Sequence, residues 1–325
     1  MKNVVREFLK VIKFTSRKKT CIPNEYFEKL LGSGPLGLKI EITNACNARC
    51  NFCAYKKTSR IKVNMDEATF DKVLREYVAM GGGYVGLMPV VGEVFLNKDV
   101  VKYLTKLKNE PKITFIETYS NLLNLSEYKE DEIEIILDSL DQLVISTGAN
   151  KQDYERAFGV KNGFSKFVNG VDCLVRYKKK KGRTPKFIFS GRSMAMQPVV
   201  DGKLAEMISF LSDEPVDWIQ CYLDWSGDIE DFGQEQKIIR IDRTGKKIPP
   251  CEIGLKGIVI FSNGEAGFCN CSDAHAKMII GNIHKNSLKE IFKSEIRREY
   301  ARSFEKGTMH PHCARCGFYR PFQPD

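Results

Sequence analysis

The sequence predicts an α/β fold in which parallel strands alternate with helices around a barrel-like sheet, followed by a smaller cysteine-rich α+β unit. Strand-like and helix-like patterns alternate about six times over residues 38–223, which implies parallel βα units rather than hairpins. A tight thiol group, Cys46, Cys50 and Cys53, follows the first strand, where such folds gather reactive residues. A second cysteine set lies beyond residue 250, after a polar and charged stretch. These observations divide the chain into a basic arm (1–36), a barrel (37–225), a linker or insertion (226–249) and a cysteine-rich unit (250–325).

The arm carries Lys2, Arg6, Lys10, Lys13, Arg17, Lys18 and Lys19, with Val4, Phe8, Val11 and Ile12 able to share one helix face. Gly32-Ser-Gly-Pro35 breaks the chain. Leu38, Ile40 and Ile42 alternate with Lys39, Glu41 and Thr43 as a first strand. Asn64 or Asp66 can cap a helix whose Phe70, Val73, Leu74, Tyr77 and Val78 share one face, and Gly81-Gly-Gly83 stops it. A second strand follows over Tyr84–Val91, and Asn97 can cap a helix carrying Val100, Val101, Leu104 and Leu107. Strands are predicted at Ile113–Thr118, Leu143–Thr147, Phe187–Phe189 and Val216–Leu223. The helices between them run near Glu130–Leu137, along Phe164 to Val175, and over Leu204–Leu211. Beyond Pro250, Asn263-Gly264 turns a hairpin of Gly257–Phe261 and Gly267–Asn270. Ser287-x-x-Glu290 is a capping box for a helix with Leu288, Ile291, Phe292 and Ile296.

With 42% hydrophobic residues the 325-residue chain can build an ordinary core. No apolar run is long enough to span a membrane, and Met1–Lys19 lacks a secretory pattern. Eleven cysteines in an unexported chain point to metal in the reducing cytoplasm rather than to disulfides. The net charge of +10 suits a generally basic surface or anionic substrates. No aromatic–basic motif of a nucleic-acid-binding fold accompanies it.

The chemistry resides in the thiols. Cys46, Cys50 and Cys53, at C-x3-C-x2-C spacing, can hold three irons of a [4Fe–4S] cluster and leave the fourth open to a substrate or cofactor. A zinc knuckle is the competing account, but zinc motifs favour paired C-x2-C groups. Cys251, Cys269, Cys313 and Cys316 can complete a second cluster or a zinc site. Cys271 rivals Cys269, which is preferred for its spacing from Gly264. Cys173 reads as core, and Cys221 and Cys271 as buried thiols or hydrogen-atom donors. His275, His284, His310 and His312 read as solvated loop residues beside the second set.

The thiol triad, with Phe52 before its third cysteine, resembles the signature of the radical S-adenosylmethionine (SAM) superfamily. That resemblance implies a partial (β/α)6 TIM-like barrel and a cluster whose open iron chelates SAM and cleaves it to a 5′-deoxyadenosyl radical. Gly92-Glu93 is similar to the family's Gly-Gly-Glu, implying a carboxylate for the SAM amine, with Val91 departing from the pattern. Ser120-Asn121 and Ser146 are similar to ribose-side positions, and Arg192 is placed to pair with the SAM carboxylate. The run from Pro250 to Gly317 resembles the auxiliary-cluster region of SPASM and twitch enzymes. Its cysteine count implies one auxiliary [4Fe–4S] cluster, as in the twitch-bearing aminocyclitol dehydrogenase.

A cluster fully ligated by protein can accept an electron from a substrate radical, which favours dehydrogenation of a sugar, aminocyclitol or nucleotide-linked sugar. The alternatives are peptide modification, epimerisation through a thiol donor, or a non-catalytic zinc-stabilised module. The short segment before the first strand leaves little room for a leader-binding domain, which favours the small molecule. Asp224, Trp225 and Arg192 lie where a substrate can be held, without identifying a base. A flavodoxin or ferredoxin is the expected electron donor.

Overall fold

The computed structural model describes residues 37–87, 90–181, 184–193, 195, 198–219, 224–229, 247 and 250–321. The predicted arm helix, most of the 226–249 stretch, Cys21 and Cys221 lie outside the described residues. Six parallel strands form the first part of the sheet: β1 (Gly37–Ile40), β2 (Gly83–Gly86), β3 (Ile113–Ser120), β4 (Gln142–Thr147), β5 (Lys186–Arg192) and β6 (Asp217–Ile219). Between them run α1 (Glu67–Ala79), α2 (Val100–Lys108), α3 (Glu130–Ser139), α4 (Lys151–Phe158), α5 (Gly163–Lys180) and α6 (Gly202–Leu211). The partial barrel and the mixed α/β class are therefore as the sequence predicts.

Alternation explains which face each strand buries. Leu38 and Ile40 are fully buried in the main core with Phe70, Val73 and Tyr77 of α1. Asp66 caps α1 by accepting from the Thr69 amide at 2.8 Å. Phe70 stacks on Tyr103 of α2 with ring centroids 4.2 Å apart. The glycine run after α1 is needed for its geometry: all three residues have positive φ. A Cβ on Gly82 would lie 2.3 Å from the Lys112 carbonyl oxygen.

Several local expectations are corrected. β2 ends at Gly86, well before Val91. Asp99, not Asn97, occupies the α2 cap, and Asn97 instead donates from its side chain to the Ile42 carbonyl at 2.7 Å. The short α4 was not anticipated, because its apolar residues are too few to show a long period.

The cysteine-rich unit contributes β7 (Gly257–Ile260), β8 (Glu265–Gly267) and β9 (Ile279–Asn282), with α7 (Glu252–Lys256), α8 (Leu288–Phe292), α9 (Glu295–Lys306) and α10 (Pro311–Arg315). The returning hairpin strand is Glu265–Gly267 rather than Gly267–Asn270, which forms a loop. Ser287 and Glu290 form the expected capping box on α8, but Ser294 caps a separate helix and leaves Ile296 49% exposed.

β7 pairs in parallel with β1, Leu38 opposite Ile258 and Ile40 opposite Ile260. The sheet therefore runs without interruption in the order β6-β5-β4-β3-β2-β1-β7-β8-β9. At this seam Arg60 forms a two-pronged ion pair with the fully buried Glu41, which also accepts from the Ser262 amide at 3.2 Å. Burial pushes the Glu41 carboxyl up in pKa, against the opposing pull of Arg60. Among the described residues no helix is long and apolar enough to cross a membrane.

Candidate functional site

The loop after β1 is held from several sides. α4 ends at Gly159 in a left-handed conformation, and its Phe158 carbonyl accepts from the Arg49 amide at 2.9 Å. The Ala157 carbonyl likewise accepts from the Asn51 amide at 2.9 Å. The Cys46 amide donates to the Tyr55 hydroxyl at 3.0 Å, and Trp225 donates from its ring to the Phe52 carbonyl at 2.8 Å. Backbone amides of Ala48 and Tyr55 point at the sulfurs of Cys46 and Cys53, each at 3.5 Å.

Desolvation pushes Cys46 up to about 12 and Cys53 up to about 11, and raises Cys50. Thiolates here need a compensating cation, and Arg192 supplies part of that field at Cys50 and Cys53. Residues 43–65 contain three cysteines and no Asp, Glu or His. That soft, purely thiolate donor set fits iron–sulfur ligation.

The β2–α2 connection meets this loop. Gly92 has φ of 146°, a conformation open to glycine and costly for other residues. The following Glu93 amide donates to the Ala45 carbonyl at 2.8 Å. Glu93 itself is buried; its carboxylate accepts from the Ser120 hydroxyl at 2.7 Å and the Asn121 amide at 2.8 Å. Burial nevertheless pushes Glu93 up to about 7. Asn121 also donates to the Asn47 side chain at 2.9 Å, joining the end of β3 to the thiol loop. Val91, the departure from the expected glycine, is buried with Ala54 and Ala274, so it packs the loop against the cysteine-rich unit.

Arg192 ends β5 with its guanidinium 5.2 Å from the Phe52 ring centroid and within 2.7 Å of the Ser190 hydroxyl. Ser146 lies opposite Ser190 on β4. The structure thus brings Phe52, Gly92, Glu93, Ser120, Asn121 and Arg192 around the first thiol set. Ser146 shares the end of the β4–β5 ladder with Arg192.

Lys39, Glu117 and Gln142 share one register row across the sheet, on the face opposite Leu38. Glu117 accepts from the Tyr84 hydroxyl at 2.6 Å and the Gln142 amide at 2.9 Å. Tyr119, two residues on, is 44% exposed. This inner face is polar and rich in hydrogen-bonding groups.

The second thiol set lines one largely apolar cavity. Cys251 comes from the start of α7, Cys269 and Cys271 from the loop after β8, and Cys313 and Cys316 from α10 and its end. Phe268, Phe304 and Tyr319 complete much of the wall. Cys271, the rival to Cys269, lines the same cavity as the four predicted thiols. The Cys271 thiol and His312 hydrogen-bond Cys269 and hold its pKa well below the usual thiol range, while Cys271 is driven up. Burial also raises Cys313, and pushes Cys251 up to about 11. The Asn270 side-chain oxygen is buried without a hydrogen-bond partner at this rim. Among the described residues no three His, Cys, Asp or Glu side chains are arranged to hold one metal ion. Thiols spread around one largely apolar cavity fit an iron–sulfur cluster, which spans more space than one ion.

Sequence reasoning missed several of these participants. His312 is buried, not solvated, and its Nε2 lies 3.1 Å from the Ser272 hydroxyl. Ser272 in turn sits 3.7 Å from the Cys316 sulfur. The spacing of His312 one residue before Cys313 was the available signal. His275 pairs with Asp228 at 3.2 Å. Nothing in the sequence near Tyr55 or Lys247 marked their roles.

Comparison with known proteins agrees with the geometry. The radical SAM superfamily model matches residues 40–224, and an iron-sulfur cluster-binding domain of the SPASM family matches residues 251–317. GTP 3′,8-cyclase of Psychromonas ingrahamii is 26% identical over 182 residues, covering 55% of this chain and 50% of that protein. GTP 3′,8-cyclase of Clostridium acetobutylicum is 29% identical over 140 residues, 42% of each chain. This chain spans half or less of the length of those two relatives. The structure of BtrN in complex with AdoMet and 2-DOIA aligns with a TM-score of 0.56 at 15% identity, covering 87% of this chain and 92% of that one. Streptococcus suis SuiB bound to precursor peptide SuiA aligns with a TM-score of 0.58 at 13% identity, covering 90% and 72%. At these identities the structural likeness is one of fold. The chain belongs to the radical SAM superfamily, with a SPASM-type iron–sulfur domain at its C-terminal side, and so binds SAM, a [4Fe–4S] cluster and auxiliary iron–sulfur.

Proposed function

We propose that this enzyme uses SAM to remove a hydrogen atom from a hydroxyl-bearing small molecule, a sugar, aminocyclitol or nucleotide-linked sugar, and oxidises it by two electrons. The observation that carries this reading is the thiol-lined apolar cavity beside a polar inner face. Bound there, the auxiliary cluster supplies an acceptor for the electron left on the substrate, and the first cluster supplies the electron for SAM cleavage.

The chain's own residues do the rest. Cys46, Cys50 and Cys53 hold the first cluster, and Glu93, fixed by Ser120 and Asn121, receives the SAM amine. Arg192 pairs with the SAM carboxylate, while Phe52, Gly92 and Ser146 shape the pocket around the nucleoside. Cys251, Cys269, Cys313 and Cys316 hold the auxiliary cluster. Tyr84, Glu117, Tyr119 and Gln142 offer hydrogen bonds suited to hydroxyl groups. The barrel (37–225) and the cluster unit (250–325) act together in a reducing cytoplasmic setting with a flavodoxin- or ferredoxin-type donor.

GTP in the name of two relatives and 2-DOIA in the BtrN complex support a polar, ring-bearing substrate. The precursor peptide on SuiB supports the second reading, peptide modification. Carbon-deuterated sugars, aminocyclitols, nucleotides and peptides, incubated anaerobically with SAM and reductant, decide between them. Deuterium in 5′-deoxyadenosine from a polyol is the expected result, and deuterium from peptides alone sinks the small-molecule reading.

A further inference from the structure

Two lysines reach the backbone of the loops that bear the second thiol set. Lys247 lies in the stretch read as a linker, yet it is only 3% exposed. Its ammonium donates to the carbonyls of Cys313 at 2.6 Å, Ala314 at 2.9 Å and Cys316 at 2.8 Å. An ammonium has three donors, and carbonyls at a helix end are left short of intrahelical partners; that of Cys313 also accepts from the Cys316 amide at 3.2 Å. The match satisfies both sides. The same ammonium lies 5.7 Å from the centroid of Tyr319, a cavity-wall ring, and its field acts on the Cys313 thiol. Lys39 of β1 donates to the Asn270 carbonyl at 3.1 Å, between Cys269 and Cys271.

We propose that Lys247 is a positioning residue for the auxiliary cluster, locking the Cys313–Cys316 turn and raising the cluster's reduction potential by its fixed charge. Lys39 acts in the same sense from the Cys269–Cys271 side. The inference rests on the reading of the cavity as a cluster site. Four thiolates leave a [4Fe–4S] core negative, and an added electron makes it more so. A buried cation therefore favours the reduced state, with little screening in an apolar surround. Raising the potential suits a site that must accept an electron from substrate. A lysine that merely capped the helix end would be replaceable by a neutral donor without redox consequence.

The test uses the full chain, reconstituted anaerobically with iron and sulfide, in a Cys46→Ala/Cys50→Ala/Cys53→Ala background that leaves only the auxiliary site. Its midpoint is followed by electron paramagnetic resonance. Lys247→Met is expected to disfavour reduction about tenfold, a shift of about 59 mV to lower potential for a one-electron couple. Lys247→Arg is expected to restore most of it. Full iron content with an unmoved midpoint in Lys247→Met overturns the proposal. Should Lys247→Met lose its iron, Lys39→Met carries the potential measurement, and an unmoved midpoint there overturns the charge argument. If the background protein holds no cluster at all, the cavity reading itself has failed, and that result is distinct from either.

Discussion

The two thiol sites are built on opposite plans. The first comes from eight consecutive residues, Cys46 to Cys53, on one loop at the end of one strand. The second draws Cys251, Cys269, Cys271, Cys313 and Cys316 from three separate segments into one cavity. The first is anchored by its neighbours through backbone bonds to α4 and to Glu93. The second is lined by aromatic rings and braced by lysines that hold its backbone. A local motif can leave a coordination position open, because its geometry needs nothing from the rest of the fold. A site assembled at long range is fixed only when the whole unit has folded, which suits a closed, permanent ligand set.

Breaking the first site is expected to have the largest effect. Cys50→Ser should abolish SAM cleavage and remove about four of about eight irons per chain while the auxiliary signal persists. Iron analysis and 5′-deoxyadenosine assay check both halves. In the second site, Cys313→Ser or Cys269→Ser should remove the auxiliary signal and leave SAM cleavage in place. Cys271→Ser should keep it, and loss of iron in that variant would make Cys271 the ligand instead.

The seam that joins the two sites is expected to be costly to cut. Arg60→Met leaves Glu41 buried without its cation, a loss of about 3–5 kcal/mol in a denaturant titration. Glu93 sharpens the contrast through pH. Its carboxyl, raised from 4.5 to about 7 by burial, must be ionised to hold the SAM amine. SAM affinity should therefore rise as pH increases through about 7, by up to tenfold per pH unit on the acid side. Glu93→Gln should weaken binding about tenfold at neutral pH and flatten the profile. Because the folded carboxyl holds its proton longer than the unfolded one, fold stability should fall as pH rises between 4.5 and about 7. The smallest effect is expected at Ile296→Gln on α9, within about 0.5 kcal/mol, since that side chain is half exposed.

The contrast also explains what could be read before the structure. The barrel strands and α1 were legible because their apolar periods are long and their caps local, as with Asp66. The first thiol loop was legible because its spacing is self-contained. α4 escaped because eight residues give too little period, although it braces that loop. His312 and Lys247 escaped because their meaning comes from partners distant in sequence, Ser272 for one and the Cys313–Cys316 turn for the other. Ile296 was misplaced because a single apolar pattern ran across a cap at Ser294.

The parallel pairing of β1 with β7 has a consequence for how the molecule is made. During synthesis β1 gains its first neighbour early, but its other margin stays bare until every remaining barrel strand has emerged. Leu38 and Ile40 sit on that margin, an adhesive edge open to pairing with another nascent chain. Expression that outruns completion of the polypeptide should therefore yield insoluble material. Production limits for this enzyme would then be set by ribosome pace as much as by iron supply.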